Sequence, residues 1–141
     1  MKIKVLLILT FLTLGMNAQM IDDHVLIGSW ELNWVDGGFF PNDNVLFEKT
    51  NAKDGQFIFH FEEGGVFSQH IRTDEMNDCM VGMFTLKNGT WALHKGVLTL
   101  CLKGDKIADF AYDYEIAYQP RLEGELLTLE VDDVRRNIQT Q

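Results

Sequence analysis

Basic residues are scarce in this chain. Its 141 residues hold 12 Lys and Arg against 21 Asp and Glu, a formal net charge of −9. That balance excludes nucleic acid and anionic membrane surfaces as partners, since both demand a basic footprint. A solvated acidic surface accounts for the charge, with a cationic partner as the alternative. Long apolar runs are equally few. The longest, residues 5–14, is too short to cross a bilayer as a helix. There are two cysteines, Cys79 and Cys101. Neither is near the N-terminus, so a lipidated N-terminus is not expected. The chain has no Gly-x-Ser-x-Gly, no Cys–His nucleophile pattern, no phosphate loop and no His-Glu-x-x-His, so no enzyme class and no cofactor is called for. Helical periodicity is also rare.

What is present begins with a leader. Lys2 and Lys4 precede the apolar run at residues 5–14, and Met16-Asn17-Ala18 offers a small residue for cleavage before Gln19. Residues 1–18 therefore read as a secretory signal peptide. The expected location is periplasmic or extracellular, with no membrane insertion after leader removal. The leader carries two of the 12 basic residues and no acidic ones, leaving ten against 21 in the rest.

Behind the leader, apolar residues alternate with period two and turn signals recur at short intervals, the mark of consecutive strands. A Gly-x-Trp signal occurs twice, as Gly28-Ser29-Trp30-Glu31-Leu32 and Gly89-Thr90-Trp91-Ala92-Leu93. In each, Trp and Leu share one strand face. Nine strands are expected. Their inward residues are Leu26, Trp30, Leu32 and Trp34; Val45 and Phe47; Phe57, Phe59 and Phe61; Phe67, Gln69 and Ile71; Gly82, Phe84 and Leu86; Trp91 and Leu93; Leu98, Leu100 and Leu102; Phe110, Tyr112, Tyr114, Ile116 and Tyr118; and Leu127, Leu129 and Val131.

Three turns test these faces. Asn88-Gly89 reads as a two-residue hairpin that sets Leu86 against Trp91 and Phe84 against Leu93. Lys95-Gly96 sets Leu93 against Leu98 and Trp91 against Leu100. Glu63-Gly64-Gly65 reads as a three-residue loop that sets Phe61 against Phe67 and Phe57 against Ile71. A one-residue slip would ruin every apolar match. Consecutive hairpins with one apolar face form an up-and-down meander, which hides its edges by closing into a barrel. The expected fold is all-β, a small antiparallel barrel over residues 19–131. Residues 19–27 would make a short helical turn that plugs one end, and residues 132–141 a loose polar tail. The register puts Cys101 opposite Thr90. Cys79 precedes Lys87 by a span of roughly 26 Å if extended, so a disulfide, which needs Cα atoms within about 7 Å, requires residues 74–82 to loop back.

These residues resemble a bacterial lipocalin-like domain. The resemblance rests on Gly28 to Leu32, then Phe59-His60-Phe61-Glu62-Glu63-Gly64-Gly65-Val66-Phe67. It continues through Gly89 to Leu93, Leu98-Thr99-Leu100, Tyr114-Glu115-Ile116 and Leu126 to Leu129. It covers nearly all of the chain after the leader and implies an exported barrel that holds a small apolar ligand. The chain is shorter than larger lipocalins and lacks a C-terminal helix after the last strand.

Candidate ligand contacts are the inward aromatics Trp30, Trp34, Phe57, Phe59, Phe84, Trp91, Tyr112, Tyr114 and Tyr118. They either line a pocket or fill the interior as core. The Tyr hydroxyls and Gln69 are the polar handles. Arg72, Arg121, Arg135 and Arg136 fall off the inward positions, so a fatty-acid carboxylate lacks the cation its burial would require. The expected ligand is neutral or weakly polar. The alternative is a protein-interaction module acting through the acidic surface or through Phe39 and Phe40. Those two sit in a glycine-bearing loop and serve as lid, partner contact or end plug. His60 and His70 fall as outward diagonal neighbours with Glu62 nearby, which surface histidines explain without a metal.

Overall fold

The computed structural model describes residues 21–35, 43–55, 57–71, 84–106 and 110–136. Eight strands follow a four-residue helix, α1 (Asp23–Leu26). They are β1 (Gly28–Val35), β2 (Val45–Thr50), β3 (Ile58–Glu62), β4 (Val66–Gln69), β5 (Phe84–His94), β6 (Val97–Lys106), β7 (Phe110–Glu123) and β8 (Leu126–Arg136). All neighbouring pairs are antiparallel. They close into a barrel in the order β1-β2-β8-β7-β6-β5-β4-β3, the all-β class that alternation predicts. Strands β3 to β8 form an unbroken meander. The β1–β2 pair completes the circle between β8 and β3, so the β2–β3 connection has to pass β1.

Tight turns set the registers. Lys95 and Gly96 both take positive φ, 50° and 80°, the geometry of a two-residue hairpin loop whose twist matches its strands. They place Leu93 opposite Leu98 and Trp91 opposite Leu100, as the sequence predicts. The 63–65 turn places Phe61 opposite Phe67, again as predicted. Thr90 faces Cys101, which lies exposed on the outer side of β6. Cys79, the Phe39-Phe40 loop and residues 1–18 lie outside the described residues.

Asn88-Gly89 is not a hairpin. It lies within β5, and a bulge falls between Leu86 and Asn88. Leu86 and Trp91 are an odd number of residues apart, so a regular strand would put them on opposite faces. The extra residue of the bulge restores both to the inside. One continuous strand therefore replaces two, and the described residues form eight. Leu86 faces Gly104 and Phe84 faces Lys106. Gly89 is needed because its Cβ would collide with the Phe67 carbonyl oxygen of β4.

Bulges correct two further expectations. In β1 the register shifts between Leu32 and Trp34, so that Val35 faces the buried Val45 while Trp34 faces Leu46. In β8 the shift at Asp132 brings Val134 opposite Ile116, against the core. Residues 132–136 are thus strand, not loose tail, held by inward Val134 and by Arg135, which bridges Asp133 and Glu115.

The core runs through the barrel. Trp30, Phe47, Phe59, Phe61, Phe67, Leu98, Leu100, Leu102, Ile116, Tyr118, Leu127 and Leu129 are all under 2% exposed. Asp22 caps α1 through its side chain, and Leu26 enters the core as a plug. The Trp30 indole Nε1 donates to the Leu26 carbonyl at 2.8 Å, which ties plug to strand. Lys49 Nζ lies 5.3 Å from the centre of the same ring, within reach of its negative face.

Candidate functional site

Two regions concentrate the residues singled out by sequence: the barrel interior and the outer face of β3 and β4.

Inside, one string of aromatic rings occupies the core. Phe47 meets Phe59 edge-on at 5.8 Å, Phe59 stacks on Phe67 at 5.5 Å, Phe61 meets Phe67 at 4.8 Å, and Phe61 meets Trp91 at 5.6 Å. These separations are those of favourable ring pairs. Of the predicted contacts, Trp30, Phe59, Trp91 and Tyr118 belong to this buried core, and Tyr114 packs partly exposed against it. Trp34, Phe84 and Tyr112 hold strand positions, but their side chains lie outside the described set. Phe57 is a correction: it is 46% exposed. β1 and β3 pair no further than Glu31–Ile58, so residue 57 belongs to the connection. There its carbonyl accepts from the Leu32 amide at 2.8 Å.

Gln69 is polar and partly buried, as expected of a handle, but it has a structural task. Its Oε1 accepts from the Leu86 amide at 2.9 Å. The two strands share the single ladder pair Val66–Thr90, and the Gln69 side chain extends their link. Burial first, and then the charge of Asp43, pushes the Tyr118 hydroxyl far above its ordinary range, so it stays protonated and can donate. Asn44 is a residue the sequence did not flag. Its Oδ1 accepts from the Val131 amide at 2.8 Å, next to the register shift of β8.

The interior is uneven along its length. α1, the 63–65 turn, the 95–96 turn and the 124–125 turn sit at one end. Moving away from that end, inward residues pass from buried to partly exposed on three strands: Trp30 to Leu32 and Val35, Leu129 to Val131 and Val134, Ile116 to Tyr114. Leu93 and Leu122 are also partly buried, at the rim beside their own turns.

Outside, His60 and His70 come together as the 63–65 register predicts. Their rings are 5.0 Å apart. Ser29 of β1 meets His60 Nδ1 at 2.9 Å. Ser68 donates to Glu62 and lies 3.4 Å from His70 Nε2, and Glu62 is 4.0 Å from the same nitrogen. His60 Nε2 is buried with no hydrogen-bond partner. The Lys53 backbone lies near enough to favour a proton on the ring, though not in hydrogen-bond geometry with Nε2. Burial, then His70, holds the His60 pKa below its ordinary value against the opposing pull of Lys53 and Glu62. A cleft of about 420 Å³ opens here. Among the described residues no three His, Cys, Asp or Glu side chains are grouped to hold a metal ion. Sequence reasoning found the two histidines but missed Ser29 and Lys53, because β1–β3 pairing and the path of the β2–β3 connection leave no local signal.

Comparison with protein-family models, with curated proteins and with solved structures returned no match to this chain.

Proposed function

We propose that this barrel binds a small, neutral or weakly polar apolar molecule without chemical turnover, outside the cytoplasm. The supporting observation is the gradient of burial along β1, β7 and β8. Away from α1, the inward side chains Leu32, Val35, Val131 and Val134 are apolar yet only partly covered, as is the aromatic Tyr114. A concave, mainly apolar opening with a few polar groups at its rim is what a small-molecule site requires. Asp43 and Asn44 stand beside it at the start of β2 and supply that polarity. The resemblance of the Gly-x-Trp strands to lipocalin-like domains supports the same reading, as does the leader-like N-terminus for export. Carboxylates dominate the charge of the chain, which favours a ligand without an anionic head group.

A native mass spectrum of the protein, purified without reductant, tests this directly. An added mass that leaves on denaturation is expected. A titration with the neutral probe N-phenyl-1-naphthylamine provides the second arm. Saturable enhancement should appear, and Val134→Glu should weaken it by about tenfold, or 1.4 kcal/mol, because a carboxylate in the opening must be desolvated. A bare mass together with no saturable probe binding would overturn the proposal.

A further inference from the structure

The β2–β3 connection does more than link two strands. Phe59 and Phe61 face the core, so Ile58 and His60 face outward. Yet Ile58 is only 5% exposed, and His60 Nε2 is buried. Gly55 covers Ile58, and the Lys53 backbone lies over His60. Gly55 donates its amide to the His70 carbonyl at 2.9 Å, and the Ile58 amide donates to the Gly55 carbonyl at 3.2 Å. A Cβ on Gly55 would stand 2.9 Å from Ile58 Cγ1, so this backbone lies directly on the isoleucine. The Lys53 backbone passes beside the His60 ring. The segment is a strap laid over the outer face of the barrel, held by two amide hydrogen bonds and one apolar contact.

We propose that His60 makes this strap proton-operated: residues 51–55 stay closed over β3 while the imidazole is neutral, and protonation of His60 releases them and uncovers the face around Ile58. Burial and His70 oppose a charge on His60 more than the Lys53 backbone and Glu62 favour it. Ser29 beside it carries no charge. Glu62 is engaged by Ser68 and lies 4.0 Å from His70. His70, 5.0 Å away ring to ring, repels a second positive charge when it is itself protonated. Lys53 of the strap lines the same cleft. The sign follows from linkage. Burial is the largest cause lowering the His60 pKa in the closed form and exceeds the opposing Lys53 backbone contact; release undoes both, so the released form binds the proton more tightly. Closure is complete above the ordinary histidine value of about 6.5 and is lost as pH falls below it.

Amide hydrogen exchange on the full chain reads this out, compared between about pH 7.5 and about pH 5 after correction for intrinsic exchange rates. Protection at the Gly55 and Ile58 amides should drop at the lower pH. Protection at the Trp91 amide, which donates to Gly65 within the barrel, should hold. His60→Gln cannot titrate and should abolish the drop. His70→Gln keeps the carbonyl that Gly55 uses and should leave the drop in place. Unchanged Gly55 protection across the pH range would overturn the proposal. So would an equal drop in His60→Gln or, should that variant fail to fold, loss of the drop in His70→Gln.

Discussion

Replacing Trp30 with Phe should cost about 3 kcal/mol, and the figure can be built from three contacts. The indole N–H donates to the Leu26 carbonyl at 2.8 Å in a site where Trp30 is fully buried. Phenylalanine leaves that carbonyl without its donor, at about 1–3 kcal/mol. The smaller ring leaves space in a core that does not collapse freely, worth about 1 kcal/mol. The weaker ring face toward Lys49, 5.3 Å away, removes a few tenths more. Against the roughly 5–15 kcal/mol of a typical domain this is a large fraction, and it should lower the melting temperature by roughly 10 °C. Urea unfolding followed by far-ultraviolet circular dichroism measures it, since emission would change with the removed indole. Equal slopes for both proteins are required before the midpoints are compared. Trp91→Phe is the internal control. Trp91 is 8% exposed and donates to the Glu62 carbonyl at 3.0 Å, so its loss should cost less, about 1–2 kcal/mol. A Trp30→Phe protein within about 0.5 kcal/mol of the parent, or a costlier Trp91→Phe, would refute the view that α1 is pinned through this indole.

Two further substitutions test local geometry. Gly89→Ala pushes a methyl into the Phe67 carbonyl oxygen, which is backbone and cannot swing aside; about 2–3 kcal/mol of stability should be lost by thermal or urea unfolding, and a neutral result would show that β4 and β5 slide freely past each other. Lys95→Asn should instead raise stability by about 0.5–1 kcal/mol, because Lys95 holds φ at 50°, a region asparagine tolerates better; a lowered midpoint would contradict the turn geometry.

The readable part of the fold was the part whose parity is unbroken. Leu98, Leu100 and Leu102 alternate without interruption and face Tyr118, Ile116 and Tyr114 in turn across the ladder. The positive-φ turns at 63–65 and 95–96 carry their own chemical signals. Each departure lies where one extra residue enters a strand. Leu32 to Val35, Leu86 to Trp91 and Val131 to Val134 are odd separations between inward residues. Odd spacing was read as a hairpin in one case, as a strand end in another, and was passed over in the third. Asn88-Gly89 misled because glycine answers two needs, a positive φ and a close backbone neighbour, and only the second applies here. On the candidate site, the His60–His70 contact was legible because one short turn fixes it. Ser29 and residues 51–55 were not, since they arrive through pairing between distant strands. Phe57 illustrates the same limit: its period matches Phe59, but the ladder that would turn it inward stops one residue short.

The order of strands around the barrel also dictates when it can close. β2 joins β8 through Val45–Leu129 and Phe47–Leu127, partners near opposite ends of the described chain. As the polypeptide emerges from a ribosome, β1 to β7 can be complete while β2 and β7 each present an unpaired rim. Only β8 seals both. Such distant contacts make for slow folding, and the open ribbon is the species most exposed to pairing with another chain. Residues 126–136 therefore act as a clasp in time as well as in space, and a chain stalled or clipped before residue 126 would yield a sheet with two sticky borders in place of a ring.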